Sequence, residues 1–225
     1  MKLTAVIGLL VSLAIAAWSG AATRADSVTL SFRQYLNPAR TVVMAWYGQV
    51  SSGAAGEDVE ILGRECRTSG FRLLLATKTD PGGSYLVENP PSTPSTTFSY
   101  VEVKSGTTFR ARWRSEVSAP ITWRSHLVPE VVEMSARRWK VRVNPQPLYV
   151  SLAGKFVDLQ RLRSGKWVRY KRARLVSKPN YEYGGATNHI AIFEVPTRGL
   201  TLRAFLPTKS VAPCFFGGPS AQWRS

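Results

Sequence analysis

The chain has 225 residues, of which 44% are hydrophobic, so it can bury a packed core and is not a disordered protein. This length suits one sizeable domain or two domains of about 100 residues each. The formal net charge of +16 indicates affinity for polyanions or anionic surfaces. Residues 26–127 carry 11 Lys/Arg and 9 Asp/Glu, a net of +2, whereas residues 128–225 carry 17 and 5, a net of +12. Only the second part of the chain is therefore strongly basic.

Residues 1–25 have the three-part pattern of a secretory signal peptide. A charged start is followed by the apolar run Leu3–Ala17 and by the small residues Ser19–Ala22. The apolar run is shorter than the roughly 20 residues that a membrane-spanning helix needs. Three alanines are candidate cleavage sites: Ala21, Ala22 and Ala25. We therefore expect an exported protein, secreted or associated with the cell envelope, and the alternative is an uncleaved anchor.

After Asp26 the apolar residues follow a period of two, which is typical of β-strands. Val28, Leu30 and Phe32 alternate with polar residues and therefore share one face of a strand. The dense apolar run Thr41–Val50 predicts a strand inside a sandwich core. No segment longer than a turn or two shows a helical period, so the pattern predicts an all-β fold.

The clearest strand begins just after Gly106, beyond a Pro/Ser/Thr-rich stretch, Asn89–Thr97, that predicts an exposed loop. Phe109, Ala111 and Trp113 lie on one face of this strand. The other face carries three arginines: Arg110, Arg112 and Arg114. This alternation predicts a strand with one face in the core and one face in solvent.

A β-hairpin pattern occurs twice along the chain. The later copy has strands at Val157–Arg163 and Trp167–Leu175, joined by a tight turn at Ser164-Gly165. The earlier copy has strands at Val59–Leu62 and Phe71–Thr79. Two further sequence segments recur: Gly106–Ala111 is matched by Gly199–Ala204, and Ala119-Pro120 is matched by Ala212-Pro213. We interpret these ordered matches as an internal duplication, and chance similarity between alternating strands is the alternative.

The duplication divides the mature chain into two predicted modules, residues 26–128 and 129–225, with a boundary around Leu127–Glu133. Short strands separated by Gly/Pro turns favour a β-sandwich for each module. The sequence therefore predicts an all-β protein made of two tandem immunoglobulin-like β-sandwich domains.

The chain resembles a family of secreted bacterial proteins built from two tandem immunoglobulin-like or fibronectin-III-like β-sandwich repeats. Strand and turn markers carry this resemblance across most of residues 41–218: Ala55-Gly56, Asp80-Pro81-Gly82-Gly83, Thr107–Trp113, Ala153–Gln160 and Gly165-Lys166-Trp167. The resemblance implies an extracellular or surface-attached structural module with no catalytic residues to carry over.

The two cysteines, Cys66 and Cys214, lie at non-equivalent places in the two repeats. Export to an oxidising compartment permits a disulfide between them. Their positions exclude the usual bridge inside one immunoglobulin sandwich, so we predict a bond that joins the two modules. The alternative is two separate thiols, each buried as a small apolar side chain.

The sequence offers little support for catalysis or metal binding. It contains no Gly-x-Ser-x-Gly elbow, no His-Glu-x-x-His motif and no phosphate-binding glycine loop. We therefore predict a protein that is not an enzyme and uses no cofactor or metal. His126 and His189 lack a close-spaced ligand partner and are interpreted as packing and loop residues. A hydrolase could draw a carboxylate pair from Asp58, Glu60, Asp158 and Glu182. The first three lie on strands between core residues, so we interpret them as solvated strand positions.

The one functional candidate is a cluster of cations on the second hairpin. Its seven members are Arg161, Arg163, Lys166, Arg169, Lys171, Arg172 and Arg174. Strict alternation places Arg172 and Arg174 on one face, and Arg169 and Lys171 on the other face with Trp167. Charge on both faces predicts an edge hairpin. The cluster either binds the phosphates of an anionic polymer or serves as a solvated edge that keeps the protein soluble.

The sequence thus predicts a non-enzymatic structural or binding protein of the cell envelope, with an anionic envelope polymer or a surface protein as partner. One alternative is a polyanion-binding module that grips an anionic wall polymer or nucleic acid through the basic hairpin. The other alternative is an accessory domain of a hydrolase with an unrecognised site.

Overall fold

The computed structural model describes residues 26–89, 101–144, 150–180 and 186–225. The predicted signal peptide, most of the predicted loop at 89–97 and Glu182 lie outside these ranges. Of the residues described, 56% lie in strands and one short helix is present among them, so the prediction of an all-β fold is confirmed. None of the described residues belongs to a helix long and apolar enough to cross a membrane.

The elements are numbered in chain order. The strands are β1 Ser31–Leu36, β2 Val42–Gln49, β3 Asp58–Arg64, β4 Arg72–Lys78, β5 Ser84–Asn89, β6 Thr108–Trp113, β7 Glu116–Val117, β8 Ile121–Thr122, β9 His126–Leu127, β10 Glu130–Ser135, β11 Arg138–Val143, β12 Phe156–Arg163, β13 Lys166–Arg174, β14 Val176–Asn180, β15 Ala186–Glu194, β16 Thr201–Phe205, β17 Phe216–Gly217 and β18 Trp223–Arg224. The helix α1 spans Thr208–Val211.

In the first half of the chain, strands β1–β8, two antiparallel sheets share one hydrophobic core. One sheet has the order β1-β2-β5, and the other has the order β4-β3-β6, with β7 and β8 both paired to β6. Trp46 from β2, Ile61 from β3 and Phe109 from β6 are all fully buried in this core. The predicted alternation in β6 is confirmed, because Phe109, Ala111 and Trp113 are buried and the arginines between them are not.

In the second half, strands β10–β18, two more antiparallel sheets enclose a second core. Their orders are β10-β11-β15-β14 and β13-β12-β16-β18. Val141 and Phe193 contribute to the core from the first of these sheets, and Leu159 and Leu202 contribute from the second. Each half thus has the two-layer arrangement in which sheets bury one face against each other.

The strand pairing of the first half recurs in the second. β3 lies between β4 and β6, just as β12 lies between β13 and β16. Ile61 pairs with Ala111 and Leu159 pairs with Ala204, so residues aligned in sequence occupy the same register. The hairpin ladder is interrupted directly after Ile61 in one half and directly after Leu159 in the other. This repeated pairing supports the internal duplication, while the module bounds 26–128 and 129–225 stay a prediction.

One of the predicted repeat anchors is wrong. Ala119-Pro120 precedes β8, whereas Ala212-Pro213 follows α1. The structural counterpart of Ser118 is Ser220, because each Oγ accepts a 2.9 Å hydrogen bond from the backbone N–H of an alanine in the adjacent core strand. The second half therefore has an insertion at 206–219, and this extra segment moves its Ala-Pro pair out of structural register.

The insertion at 206–219 contacts the end of the first half. Cys214, within the insertion, forms a disulfide with Cys66, so the predicted pairing is confirmed. Cys214 is fully buried in the second core, and Cys66 packs against the same core. β17 pairs in parallel with β9, and the Phe216 ring stacks on His126 with 5.2 Å between ring centroids. The disulfide and these contacts together hold the two halves against each other, with His126 in the packing role predicted for it.

Candidate polyanion-binding face

The predicted basic cluster lies on the hairpin formed by β12 and β13. Ser164 and Gly165 form its two-residue turn with φ values of 49° and 73°, and Arg163 pairs with Lys166 on either side. Positive φ at both turn residues gives the turn a twist that matches the twist of the strands. β13 lies at the edge of its sheet, as the distribution of charge predicted.

The faces predicted for the hairpin cations are partly wrong. Strict alternation separates Arg169 from Arg172 and Arg174, but the structure places these three side chains on the same face as Trp167. Lys171 lies on the opposite face, the one directed toward the core, where its Nζ donates a hydrogen bond to a backbone carbonyl of β15.

A β-bulge explains this difference. Leu159 pairs with Lys171, but the next residue of β12, Gln160, pairs with Arg169. Tyr170 is therefore the extra residue of β13, and it shifts the alternation of the remaining strand by one position. Without the bulge, Arg169 would point toward the core side. With it, Arg169 joins the exposed face.

We use the name outer face for the side of the sheet β13-β12-β16-β18 that points away from the second core. Four arginines and three aromatic residues lie on it: Arg169, Arg172, Arg174, Arg203, Phe156, Trp167 and Phe205. The Arg203 guanidinium carbon lies 4.3 Å from the centroid of the Trp167 ring, and that of Arg174 lies 4.6 Å from the centroid of the Phe156 ring. Stacking of this kind holds guanidinium groups in fixed positions while leaving their edges open to a ligand.

Arg203 comes from β16 and was not part of the sequence prediction. Its Nε donates a 2.8 Å hydrogen bond to Gln160, and burial lowers its pKa from the ordinary arginine value. The signal that would have found it is the repeat, since Arg110 occupies the same place in the first half and lies over Phe71 at 5.0 Å. The stacked arginine is thus a shared feature of both halves.

Asp158 neutralises one cation of the outer face. Its carboxylate accepts hydrogen bonds from Arg172 Nε at 2.6 Å and Arg172 Nη2 at 3.0 Å, and this contact raises the pKa of Arg172. The Asp158 side chain is only 8% exposed, so its interpretation as a solvated strand position is wrong. Removing Arg172 would leave a buried carboxylate unpaired, so Arg172 is a structural partner rather than a free binding group.

Four of the seven predicted cations are exposed and have no acidic partner among the described residues: Arg163, Lys166, Arg169 and Arg174. Arg161 is half-buried, with its guanidinium carbon 5.4 Å from the centroid of the Tyr170 ring, and Lys171 bonds to a backbone carbonyl. The cluster predicted from sequence is therefore divided into an exposed set and a structural set.

On the corresponding face of the first half, two cations are paired with acids. Lys78 pairs with Asp58 at 2.8 Å, and Arg112 pairs with Glu60. Both acids lie on the exposed face of β3, as predicted, and each forms an ion pair with a cation of a neighbouring strand. The two halves share a stacked arginine, but β3 carries two paired acids on this face, whereas β12 carries one, Asp158.

His189 is a buried strand residue rather than the loop residue predicted. It lies in β15, is 2% exposed, and its Nε2 accepts a 2.9 Å hydrogen bond from the Leu152 backbone N–H. An acceptor nitrogen must be unprotonated, and burial accordingly lowers the pKa of His189 below its ordinary value of 6.5. Across the described residues, no three His, Cys, Asp or Glu side chains are grouped so that they could hold a metal ion.

The neutral state of His189 predicts a pH dependence of stability. Its contribution is fully present above pH 6.5 and is lost as the pH falls from there toward the lowered pKa, because the unfolded chain takes up the proton first. We expect urea unfolding at about pH 8 and about pH 5 to show this loss, and His189→Gln to reduce it. His126→Gln, at an exposed histidine, is the matched control for the replacement of a histidine by glutamine. Equal pH dependence in His189→Gln and wild type would refute the prediction.

No model of a protein family matches this chain, and a search of curated proteins found no match. Neither comparison therefore supplies a relative whose activity or partners bear on the site. What bears on function is the geometry of the outer face and of the junction between the halves.

Proposed function

We propose that the chain is an exported, non-enzymatic binding protein that holds a polyanion on the outer face of its second half. The observation that carries this proposal is the β-bulge at Tyr170, which brings Arg169 onto the face of Arg174, Arg203 and Trp167. Cations interleaved with aromatic rings suit a chain of phosphate or sulfate groups attached to rings or sugars. The unpaired cations attract the anionic groups of the polymer, and the stacked aromatic rings provide surface against which its rings or sugars pack.

We further assign each half to the immunoglobulin-like or fibronectin-III-like class. In such sandwiches strands A, B, E and sometimes D form one sheet, and C, F and G form the other. The first-half orders β1-β2-β5 and β4-β3-β6-β8 then correspond to A-B-E and C′-C-F-G. The second-half orders β10-β11-β15-β14 and β13-β12-β16-β18 correspond to A-B-E-D and C′-C-F-G. The same assignment in both halves supports two tandem repeats.

The proposed location is the cell envelope or the extracellular space. The disulfide between Cys66 and Cys214 is consistent with an oxidising compartment, and the pattern of residues 1–25 is that of a signal peptide. In that setting the proposed ligand is an anionic envelope polymer. A structural role for the two joined halves is compatible with this, since the disulfide fixes a binding face relative to the rest of the protein.

The test compares two variants that lose the same charge from different sheets of the second half. The hairpin variant replaces two exposed arginines of the outer face, Arg169 and Arg174, by Ser. The control variant replaces Arg138 and Lys178 by Ser, both exposed and both in the other sheet of the second half. On an immobilised sulfated polysaccharide we expect the hairpin variant to elute at clearly lower salt than the control variant. Equal elution of the two would mean that only net charge matters, and the proposal would fail.

A further inference from the structure

A second basic site lies in the first half, where it meets the insertion at 206–219. A cavity of about 270 Å³ there lies between the loop after β3 and the start of β6, next to the disulfide. Three arginines line it, Arg64, Arg67 and Arg124, together with Cys66 and Pro213. None of these arginines belongs to the outer face, and none was singled out as a functional residue in the sequence.

The arginines of this cavity lack an acidic partner within the described residues. The one acidic residue in its lining, Glu65, already bonds to Arg72 at 2.7 Å and to Lys104 at 2.9 Å. Its negative charge is therefore held by cations outside the set of three. Like charges gathered around one cavity repel one another, and a bound anion would relieve that repulsion.

Stacking fixes two of the three guanidinium groups. The Arg64 guanidinium carbon lies 5.0 Å from the centroid of the Phe71 ring, and that of Arg124 lies 5.4 Å from the centroid of the Phe216 ring. The Arg124 Nε is buried and has no hydrogen-bond partner among the described residues. A buried donor of this kind is costly when it stays unpaired, and an oxygen ligand would satisfy it.

We propose that this cavity binds one phosphate or sulfate group, either as a free anion or as the terminal group of a larger molecule. Arginine presents N–H donors in a planar fork that matches the oxygens of such groups. The cavity is smaller than the roughly 300–1,000 Å³ typical of sites for drug-sized ligands, which favours a single small anionic group over a polymer segment. Bound there, the anion would link the loop at residues 65–68 to Arg124, beside the disulfide.

Arg67 offers a variant that removes a cation without harming the fold. Its φ is 69°, a left-handed conformation that glycine adopts at no steric cost, and its side chain is exposed. Arg67→Gly should therefore fold at least as stably as the wild type. Arg40→Gly is its matched control, because Arg40 is also exposed, also has a positive φ of 58°, and lies in the turn between β1 and β2 away from the cavity.

Titration with inorganic phosphate, followed by calorimetry, tests the proposal. We expect saturable binding to the mature wild type, unchanged affinity in Arg40→Gly, and an affinity about tenfold lower in Arg67→Gly, the loss expected for one charge-assisted hydrogen bond. The hairpin variant should bind phosphate as the wild type does. Lack of saturable binding, equal affinity in Arg67→Gly and Arg40→Gly, or loss of binding in the hairpin variant would each overturn the proposal.

A second arm separates the two sources of the anionic group. Vesicles of phosphatidylcholine with and without phosphatidic acid present a terminal phosphate at a membrane surface. If the group belongs to a lipid, the wild type and Arg40→Gly should bind the vesicles that contain phosphatidic acid more strongly than Arg67→Gly does. If the group is a free anion, Arg40→Gly and Arg67→Gly, which carry the same net charge, should bind the vesicles that contain phosphatidic acid equally while still differing in the phosphate titration.

Discussion

Replacing both Cys66 and Cys214 by Ser should lower the free energy of unfolding by about 5 kcal/mol, since the chain-entropy model predicts this for a closed loop of such length. The two cysteines are separated by 148 positions, so the bridge removes many conformations from the unfolded chain. It also joins a loop of the first half to a fully buried residue of the second core. Urea unfolding of the mature protein with and without the substitutions measures the loss.

A reductant supplies the internal control for this prediction. We expect dithiothreitol to shift the unfolding midpoint of the wild type toward that of the double-serine variant, and to leave the variant unchanged. Peptide mapping without reduction should recover one peptide pair linked through Cys66 and Cys214. Two freely alkylated thiols in folded, exported protein would contradict both the bond and its contribution to stability.

Much of the strand content follows directly from the pattern of apolar residues. In β6 the alternation of Phe109, Ala111 and Trp113 with arginines is enough to predict which face is buried, because a strand turns each successive side chain to the opposite face. The turn at Ser164-Gly165 is likewise predictable, because Gly165 adopts at no steric cost the positive φ that a two-residue hairpin requires.

The orientation of the hairpin cations could not be predicted in the same way. A single bulge at Tyr170 reverses which side chains of β13 face the core between Tyr170 and the turn. The residue types around Tyr170 do not predict this bulge. The comparison of repeats carries a partial signal, since the first hairpin is interrupted at the equivalent place, after Ile61. Only the observed pairing register shows that the bulge moves Arg169 onto the exposed face.

The remaining members of the outer face come together only through tertiary structure. Arg203 lies far along the chain from Trp167, and the sheet order β13-β12-β16 is what brings them within 4.3 Å. The burial of Asp158 has the same origin, since the side chain of Arg172 covers it from the neighbouring strand. The comparison of the two repeats in sequence did not reveal the insertion at 206–219. The Ala-Pro pair inside the insertion matches the Ala-Pro pair of the first half only by chance.

The second large effect expected is on the salt dependence of polyanion binding. Each phosphate contact made by a cation releases condensed counterions, so affinity falls linearly with salt on a log–log plot. The hairpin variant removes two exposed cations of the outer face, and each lost contact should lower the slope by roughly 0.7–0.9, a total of about 1.4 to 1.8. Folding should change little, because an exposed charge usually contributes less than about 0.5 kcal/mol to stability.

The most direct test of the central claim is this slope, measured by fluorescence anisotropy with a labelled single-stranded oligonucleotide as model polyanion. The hairpin variant replaces Arg169 and Arg174, and the control variant removes two cations from the other sheet of the same half. Binding through the outer face predicts a slope that falls by about 1.4 to 1.8 in the hairpin variant and stays near the wild-type value in the control. Equal slopes in the two variants, or no change from wild type in either, would contradict a binding site on the outer face.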